Sequence, residues 1–435
     1  MKNRTLIGNL EAQMGNVVQV AGFVEKLRNQ KAMQFMVLRD HTGAVQLVNP
    51  KSENSLTSLV SSAIPASAVS ASGVLVKNPH VKLNGYEIQL ATLNIHNSPQ
   101  SQLPITSESG IDSRLDWRYL DLRDPKKQLI FKIQTTAEHA MREYWLANGF
   151  TEIHSPKLVE GASESGAELF SLDYFGKKAS LAQSPQFYKQ MAMAAGLDRV
   201  FEIGPVFRAN PSFTSRHDTE FTSVDMELSW IDSHEEVMEF EENWINNFMT
   251  KVVAKHGDEI KKNFNVEPVI PKLPFPRVSM DQAYQILESQ GYYVPREAKG
   301  DLDPEGERRL GAFIKERYGH DFVFVTDYPA KSRAFYHMRY SERPEVTKSF
   351  DLLWKGLEVT TGAQREHRVD KLIKQAEEKG VDTKGISSYI DFFKYGCPPH
   401  GGCGFGLTRM LMNLTGLGNV REVTYVYRGP NRLTP

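Results

Sequence analysis

The sequence predicts an α+β protein with two domains, a small N-terminal β-barrel of the OB type and a larger domain of helices and strands. Two observations lead to this prediction. Five short strand-like segments fill the first 97 residues, whereas long amphipathic helices alternate with hairpin-like strands in the rest of the chain. At 435 residues, the chain is also longer than one hydrophobic core usually organises.

The N-terminal segment, residues 1–97, has the pattern of a five-stranded barrel. Its strand-like segments have a Ser/Ala-rich stretch between the third and the fourth, which can hold a short helix; the segments are 17–24, 35–38, 44–48, 74–76 and 86–90. Barrels of this type often bind single-stranded nucleic acid. Nine Lys/Arg against six Asp/Glu in residues 1–110 are compatible with RNA binding, and a structural barrel with a mildly basic face is the alternative.

Residues 98–123 are predicted to link the barrel to the second domain, residues 124–435. The stretch 98–113 is rich in Ser, Pro and Gln and has no hydrophobic periodicity. Strand-like segments that lie between long helices in the second domain favour an α+β arrangement over a doubly wound parallel sheet.

Two long helices in the second domain have clear start signals. One is predicted to begin at Asp124 and Pro125, because aspartate caps a helix and proline suits its first position, and to end at Gly149. The other is predicted to begin at Ser233, where Glu236 completes a capping-box pattern.

The composition excludes several classes of protein. Lys+Arg is 52 against Asp+Glu 53, so any nucleic-acid site must be a local patch rather than a global basic field. The two cysteines, Cys397 and Cys403, can form neither a disulfide framework nor a four-cysteine zinc site. The N-terminus lacks an apolar signal segment, and no run of 18 apolar residues occurs. We therefore expect a soluble, cytoplasmic protein without a membrane partner.

Arginines mark two segments that could bind phosphate. Arg208 and Arg216 lie with His217 in a polar loop between two strand-like segments, and such a hairpin can direct guanidinium groups at phosphate oxygens. A solvated turn with ordinary surface arginines is the alternative. Arg409 follows the glycine-rich stretch 402–406, where glycines let the backbone approach a ligand, although helix–strand packing needs the same residues.

Three motifs in this order resemble those of the class II aminoacyl-tRNA synthetases. Residues 149–156 resemble motif 1, the hairpin around Phe207 and Arg208 resembles motif 2, and residues 404–409 resemble motif 3. The similarity covers nearly the whole chain and is closest to the aspartyl-tRNA synthetases of the archaeal type. It implies an anticodon-binding OB-fold domain at 1–97, a catalytic domain at 124–435 built on an antiparallel sheet flanked by helices, and a homodimer formed through motif 1.

The resemblance also implies a pocket for L-aspartate, which must offer cations to the side-chain carboxylate and anions to the ammonium group. Lys189 and Arg365 match residues that hold the carboxylate, Arg365 in bidentate fashion. Gln186 and Asp225 match residues at the amino end, and Glu164 matches a loop glutamate that closes over the substrate. The implied aspartate-binding set is Glu164, Gln186, Lys189, Arg208, Asp225, Thr361 and Arg365.

ATP is the second implied substrate. Arg208 matches the arginine on the α-phosphate, Arg409 and Phe221 match the groups on the two faces of adenine, and Arg216 and His217 match residues near the distal phosphates. The implied ATP-binding set is Arg208, Asn210, Arg216, His217, Asp218, Phe221, Glu358, Gly406, Leu407, Thr408 and Arg409. Among these, Arg208, Arg409 and Glu358 are the implied catalytic residues.

Magnesium is the implied metal. Asp351, Glu358 and Thr361 match the residues that carry Mg²⁺ through phosphate oxygens, and oxygen ligands of this kind suit that ion. In the implied reaction, the aspartate α-carboxylate attacks the α-phosphorus, pyrophosphate leaves, and the 3′ end of tRNA then takes the aspartyl group. Positioning and electrostatics would carry the catalysis.

The resemblance implies tRNA(Asp) as the partner, and the sequence leaves open whether tRNA(Asn) is also charged. Four residues are candidates for reading the anticodon. Phe23, Phe35 and Gln46 lie on the predicted barrel strands, where aromatic side chains can stack on bases, and Arg28 lies in the predicted loop 25–31. Phe23 and Phe35 could equally belong to the barrel core.

Three departures from the family pattern keep alternatives open. Asn210 stands where motif 2 normally has a glutamate, Thr361 stands where a serine is common, and residues 428–432 depart from the usual C-terminal pattern. The alternatives are an asparaginyl-tRNA synthetase, an asparagine-synthetase-like paralogue, or a catalytically silent tRNA-binding paralogue. Lys189 favours aspartate over asparagine, and the retained arginines favour an active enzyme.

Overall fold

The computed structural model describes residues 4–51, 55–160, 168–211 and 214–435, which form two compact units, Met1–Gly110 and Ile111–Pro435. The first unit begins with a 3-10 helix, Ile7–Gln13. Its regular elements are the strands β1 (Val17–Asn29), β2 (Met33–Asp40), β3 (Gly43–Pro50), β4 (Ala68–Lys77) and β5 (Tyr86–Asn97), with the helix α1 (Ser55–Ser62).

The five strands close into a barrel in the order β1-β2-β3-β5-β4. β3 and β5 pair in parallel, and the other neighbours pair antiparallel. Buried and part-buried residues alternate strictly along β2, as expected for a strand with one face on the core. The predicted barrel, with its helix between the third and fourth strands, is confirmed.

The second unit contains eleven strands within the described residues. They are β6 (Thr151–Glu152), β7 (Leu158–Val159), β8 (Ser171–Tyr174), β9 (Lys177–Leu181), β10 (Arg199–Phe207), β11 (Glu220–Ser229), β12 (Arg277–Ser279), β13 (Phe322–Thr326), β14 (Ser349–Trp354), β15 (Leu357–Gln364) and β16 (His400–Gly406). Eight of them form one sheet in the order β12-β13-β14-β15-β16-β11-β10-β6, and β7-β9-β8 form a second sheet. The large sheet is antiparallel except at its two edges.

Helices surround this sheet. They are α2 (Ile111–Asp116), α3 (Arg118–Asp121), α4 (Pro125–Ala147), α5 (Gln186–Ala194), α6 (His234–Phe264), α7 (Met280–Ser289), α8 (Pro304–Tyr318), α9 (Val369–Glu378), α10 (Ser387–Lys394), α11 (Leu407–Thr415) and α12 (Val420–Val423), with 3-10 helices at Arg296–Ala298 and Ala330–Ser332. The predicted α+β class is confirmed. Within the described residues, no helix is both long and apolar enough to cross a membrane.

The two predicted helix starts are found at the expected residues. The Asp124 side chain accepts a hydrogen bond from the Lys126 backbone N–H at 2.9 Å, and α4 begins at the next residue, a proline. Ser233 and Glu236 form both halves of a capping box at the start of α6. Gly149, at φ +79°, follows the end of α4 in a conformation that favours glycine.

Part of the predicted linker is helical. Residues 111–123 form α2 and α3 and belong to the second unit, where the Arg118 side chain is 2% exposed. Arg118 donates to the backbone oxygens of Thr424 at 2.8 Å and Tyr425 at 3.0 Å. These helices are too short to show hydrophobic periodicity, so their sequence resembles a loop. The division of labour between the two units, anticodon binding and catalysis, stays a prediction.

α4 and α6 cover one face of the large sheet. Trp145 and Trp244 lie 5.2 Å apart between ring centroids, and they contact Phe201 of β10 and Phe405 of β16 respectively. All four side chains are buried in the main hydrophobic core. Because this face is apolar, polar side chains of the same strands are directed to the opposite face.

The Glu241 side chain of α6 is an ionisable group that is fully buried. Burial raises the pKa of Glu241 to about 8, and the neighbouring Thr360 hydroxyl offsets only part of the rise. The folded state therefore binds this proton more tightly than the unfolded state, whose carboxyl has the ordinary pKa of 4.5. The contribution of Glu241 to the free energy of unfolding should therefore fall as the pH rises from 4.5 to about 8, by at most about 1.4 kcal/mol per pH unit.

We expect Glu241→Gln to remove this pH dependence, because the amide does not ionise. Urea denaturation of the wild type and of Glu241→Gln at pH 6 and pH 9 measures this pH dependence of the free energy of unfolding. The free energy of unfolding should fall more for the wild type than for the variant. Other titrating groups are common to both proteins, so equal decreases would contradict the assignment.

Candidate active site

An open cleft of about 380 Å³ lies on the polar side of the large sheet and is bordered by residues of α5, β11, β15 and β16. Most of the residues that the sequence analysis assigned to substrates line it: Gln186, Lys189, Arg208, Asn210, Arg216, His217, Asp218, Phe221, Asp225, Glu358, Thr361, Arg365, Gly406, Thr408 and Arg409. Asp351 and Leu407 are not in its lining, and the Leu407 side chain is buried in the main core. Glu164 lies outside the described residues.

The alternation of β11 explains how its charged side chains reach the cleft. Val224, Met226 and Leu228 enter the main hydrophobic core, so Asp225 and Glu227 are on the opposite face. Asp225 pairs in register with Gly404 of β16, which in turn pairs with Thr361 of β15. A Cβ atom at Gly404 would lie 3.2 Å from Asp225 Oδ1, so glycine leaves room for this carboxylate.

Four buried charges form the end of the cleft assigned to aspartate. Lys189 Nζ lies 2.9 Å from Asp225 Oδ1 and 3.4 Å from Glu227 Oε2. Arg365 donates from Nε to Glu227 Oε1 at 2.9 Å and from Nη2 to the Gly402 carbonyl at 2.9 Å. Each of the four side chains is at most 4% exposed. Glu227 therefore links the two cations that the sequence analysis assigned separately.

These ion pairs stay charged despite their burial. Burial alone would raise the pKa of Glu227, but Arg365 and Lys189 more than offset it, and the pKa lies below its usual value. Burial alone would lower the pKa of Lys189, but Asp225 and Glu227 raise it above its usual value. A charged, dry cluster held this way offers fixed donors to a carboxylate and fixed acceptors to an ammonium group.

His337 also lines this end of the cleft and was not singled out from the sequence. Its Nδ1 donates to the Ala334 carbonyl at 3.0 Å, and its Nε2 lies 3.4 Å from Arg365 Nη1. Burial and then the Arg365 charge lower the pKa of His337 well below its usual value. The ring is therefore neutral, and its Nε2 accepts a hydrogen bond from the guanidinium group.

Arginines and an aromatic ring form the other end of the cleft. The Arg208 guanidinium carbon lies 5.5 Å from the centroid of the Phe221 ring, across the β10–β11 hairpin. Arg409 donates from Nη1 to the Glu358 carbonyl at 2.8 Å and to its Oε1 at 3.1 Å. The two arginines thus border a cleft that has one aromatic face, which suits a nucleotide with its phosphates.

The hairpin loop adds further polar groups to this end. Arg216 Nη1 donates to Glu307 Oε2 of α8 at 2.8 Å, and the His217 ring hydrogen-bonds to Thr214 at 2.5 Å. Burial lowers the pKa of His217, and the charges of Arg409, Arg208 and Arg216 lower it further. Burial raises the pKa of Asp218 to about 7, although its Oδ2 accepts from the Thr424 hydroxyl at 3.0 Å.

The residues assigned to magnesium lie on two paired strands. Asp351 of β14 pairs with Thr361 of β15, and the Thr361 hydroxyl donates to Glu358 Oε1 at 3.3 Å. Asp351 Oδ2 accepts from Arg333 Nη2 at 2.5 Å, and the buried Tyr328 hydroxyl also interacts with the Asp351 carboxylate. These oxygens fit a hard cation. Among the residues that the structure describes, no group of three His, Cys, Asp or Glu side chains could hold a metal ion. Substrate oxygens would therefore have to complete the coordination shell of the magnesium ion.

On the barrel, three of the four anticodon candidates form one cluster. Arg28 of β1 donates to Gln46 at 3.0 Å and lies 5.2 Å from the centroid of Phe35, its partner in register on β2. Gln46 donates to Glu87 at 2.8 Å. Phe23 is 42% exposed and lies outside the barrel core.

Several charged or polar residues at the site were given no role in the sequence analysis. They include Glu227, Arg333, Glu307 and His337, and the cleft lining adds Glu168, Ser184, Ser223, Ser332 and Tyr336. Glu227 could have been found, because alternation on a strand puts it on the same face as Asp225. Arg333, Glu307 and His337 lie 18, 91 and 28 positions from their respective partners, and no local pattern marks them.

Comparison with known proteins identifies a family and relatives of this chain. The family model described as tRNA synthetases class II (D, K and N) matches residues 110–427. The Aspartate--tRNA(Asp) ligase of Pyrococcus horikoshii is 40% identical over 427 residues, 97% of each chain. The Aspartate--tRNA(Asp/Asn) ligase of Aeropyrum pernix is 40% identical over 440 residues, 99% of this chain and 98% of that one.

Solved structures agree on the fold across both units. The asparaginyl-tRNA synthetase of Pyrococcus horikoshii complexed with asparaginyl-adenylate is similar with a TM-score of 0.91 and 31% identity, and the match covers 100% of both chains. A putative aspartyl-tRNA synthetase of Leishmania major is similar with a TM-score of 0.90 and 29% identity, over 100% of this chain and 96% of that one.

Proposed function

This chain belongs to the class II tRNA synthetases of the D, K and N group, and on that basis we propose that it is an aspartate–tRNA ligase. It activates L-aspartate with ATP to aspartyl-adenylate and transfers the aspartyl group to the 3′ end of tRNA(Asp). The observation that carries the choice of aspartate is the buried cluster of Lys189 and Arg365 with Asp225 and Glu227.

The arrangement of donors in this cluster favours a carboxylate. Arg365 directs Nε and Nη2 at Glu227 and the Gly402 carbonyl, and Nη1 donates one hydrogen to His337 Nε2, so the second Nη1 hydrogen remains for the substrate carboxylate. Lys189 supplies a second cation at the same end of the cleft. The substrate ammonium group is then held by Asp225 and Gln186, which line the cleft beside Lys189.

Activation follows from the position of the remaining cations. Arg208 holds the α-phosphate where the aspartate α-carboxylate attacks, and Arg409 and Phe221 hold adenine between them. Arg216 and His217 face the leaving pyrophosphate. Asp351, Glu358 and Thr361 would hold Mg²⁺, which neutralises phosphate charge when it is bound. Fixed charges that need no reorganisation supply the transition-state stabilisation.

Several partners belong to the same proposal. The barrel cluster of Arg28, Phe35 and Gln46 would contact anticodon bases by stacking and hydrogen bonding. We propose a homodimer formed through residues 149–156, and a cytoplasmic location stays a prediction. Charging of tRNA(Asn) is the alternative specificity, because relatives 40% identical to this chain include both Aspartate--tRNA(Asp) and Aspartate--tRNA(Asp/Asn) ligases.

Asparagine is the competing substrate, because an asparaginyl-tRNA synthetase shares the fold. Aspartate is favoured by curated relatives that are 40% identical to this chain and are aspartate ligases, whereas the solved aspartyl and asparaginyl structures are about equally similar, at 29% and 31% identity. An asparagine amide would also bring N–H groups to the end of the cleft where Lys189 and Arg365 can only donate hydrogen bonds.

ATP–pyrophosphate exchange with each amino acid tests the proposal. We expect exchange with aspartate, and exchange with asparagine weaker by at least about 10²-fold, because a polar site strongly rejects a ligand that leaves its groups unpaired. Parallel charging of tRNA(Asp) and tRNA(Asn) transcripts reads the tRNA specificity. Preference for asparagine, or exchange with neither amino acid, would contradict the proposal.

A further inference from the structure

A salt bridge outside the cleft holds one of its arginines. Arg216 lies in the loop between β10 and β11, and Glu307, 91 positions later, lies in the first turn of α8. Arg216 Nη1 and Glu307 Oε2 are 2.8 Å apart, with side-chain exposures of 22% and 11%. This partial burial separates the pair from surface salt bridges, which fluctuate and contribute little.

The pair leaves Arg216 able to bind a ligand. Arg216 lines the cleft, whereas Glu307 is not part of its lining. A guanidinium group has five N–H donors in a rigid plane, and the contact with Glu307 uses one of them. The remaining donors are available to phosphate oxygens, so the carboxylate can fix the guanidinium without blocking it.

The surroundings of Glu307 place it at the phosphate end of the cleft. Burial raises the pKa of Glu307 to about 7, the charge of Glu358 raises it too, and Arg216 and Arg409 act in the opposite direction. Both Glu358 and Arg409 line the cleft. Glu307 is therefore within electrostatic range of the groups assigned to ATP.

The backbone of the loop is anchored near Arg216, but the arginine side chain needs an anchor of its own. The Val420 N–H donates to the Ser215 carbonyl at 2.9 Å, and the Thr219 N–H donates to the Arg428 carbonyl at 3.1 Å. An arginine side chain has large rotamer entropy, and a group that is ordered before binding costs less to order on binding.

This inference rests on the proposed function. We propose that Glu307 is a positioning residue for ATP, whose carboxylate holds the Arg216 guanidinium at the distal phosphate end of the cleft. Glu307 touches no substrate and acts through Arg216.

The test compares Glu307→Gln with Glu305→Gln in the full-length protein. Glu305 lies on the same helix and pairs with Arg309 at 2.5 Å, away from the cleft, which makes it the matched control. We expect Glu307→Gln to raise the KM for ATP in pyrophosphate exchange by about tenfold, with the KM for aspartate unchanged. Glu305→Gln should change neither value.

A double-mutant cycle separates positioning from a general structural role. In an Arg216→Ala background, Glu307→Gln should change the KM for ATP by less than about twofold, because the group it acts through is gone. An unchanged KM in Glu307→Gln, an equal change in Glu305→Gln, or an undiminished change in the Arg216→Ala background would overturn the inference.

Calorimetric titration with Mg²⁺ and a non-hydrolysable ATP analogue separates the role of Glu307 from the proposed function. The proteins compared are the wild type, Glu307→Gln, Glu305→Gln, Arg216→Ala and the double variant Arg216→Ala/Glu307→Gln. If the wild type binds the analogue but shows no aspartate-dependent pyrophosphate exchange, the proposed function fails. The role of Glu307 is still decided by whether Glu307→Gln binds the ATP analogue more weakly than the wild type and Glu305→Gln do. A wild type that does not bind the analogue overturns both.

Discussion

Replacing Arg208 by alanine should abolish aspartate-dependent ATP–pyrophosphate exchange in a protein that still folds. Arg208 follows β10 and lines the cleft, with its guanidinium group 5.5 Å from the Phe221 ring. If it holds the α-phosphate, its contact strengthens as charge develops during attack by the aspartate carboxylate. Loss of one such contact costs about 3–4 kcal/mol or more of transition-state stabilisation, which is about 10²–10³-fold or more in rate.

Arg199→Ala is the matched control for this experiment. Arg199 begins the same strand, and its guanidinium group lies 5.9 Å from the Phe150 ring, outside the cleft. Exchange should be unchanged in Arg199→Ala, and both variants should give the circular dichroism spectrum of the wild type. Near wild-type exchange in a folded Arg208→Ala protein would contradict the assigned role.

Replacing Arg365 by leucine should both destabilise the protein and end aspartate-dependent exchange. The substitution removes the 2.9 Å contact with Glu227 Oε1 and leaves that buried carboxylate with Lys189 at 3.4 Å. Breaking a buried ion pair by removing one partner costs about 3–5 kcal/mol, because the remaining charge is left uncompensated. Urea denaturation at neutral pH measures the free energy of unfolding, and pyrophosphate exchange measures the activity.

The double variant Arg365→Leu/Glu227→Leu distinguishes stability from recognition. Removing both charges should recover part of the lost free energy of unfolding, since leucine side chains tolerate burial and Lys189 keeps Asp225 at 2.9 Å. Exchange with aspartate should stay lost, because the cation that faces the substrate carboxylate is still missing. A single variant as stable as the wild type, or one that retains exchange, would contradict this account.

Local patterns in the sequence predicted the barrel strands and the starts of two long helices, and the family resemblance supplied most of the residues assigned to the site. Helix α4 begins after Asp124 and α6 after Ser233, because capping depends on side chains within a few residues of each other. The barrel strands were predictable from alternation. Motif spacing brought Arg208, Phe221 and Arg409 into one cleft, as the resemblance implied.

The sequence by itself therefore determined the fold class, the family resemblance and the identity of most charged groups in the cleft. Only the tertiary structure decided how these groups pair. Arg365 contacts Glu227 from 138 positions away, Arg216 contacts Glu307 from 91 positions away, and Asp351 is held by Arg333. The physical reason is that a buried charge needs a compensating partner within a few ångströms, and chain folding rather than sequence spacing sets which carboxylate comes that close.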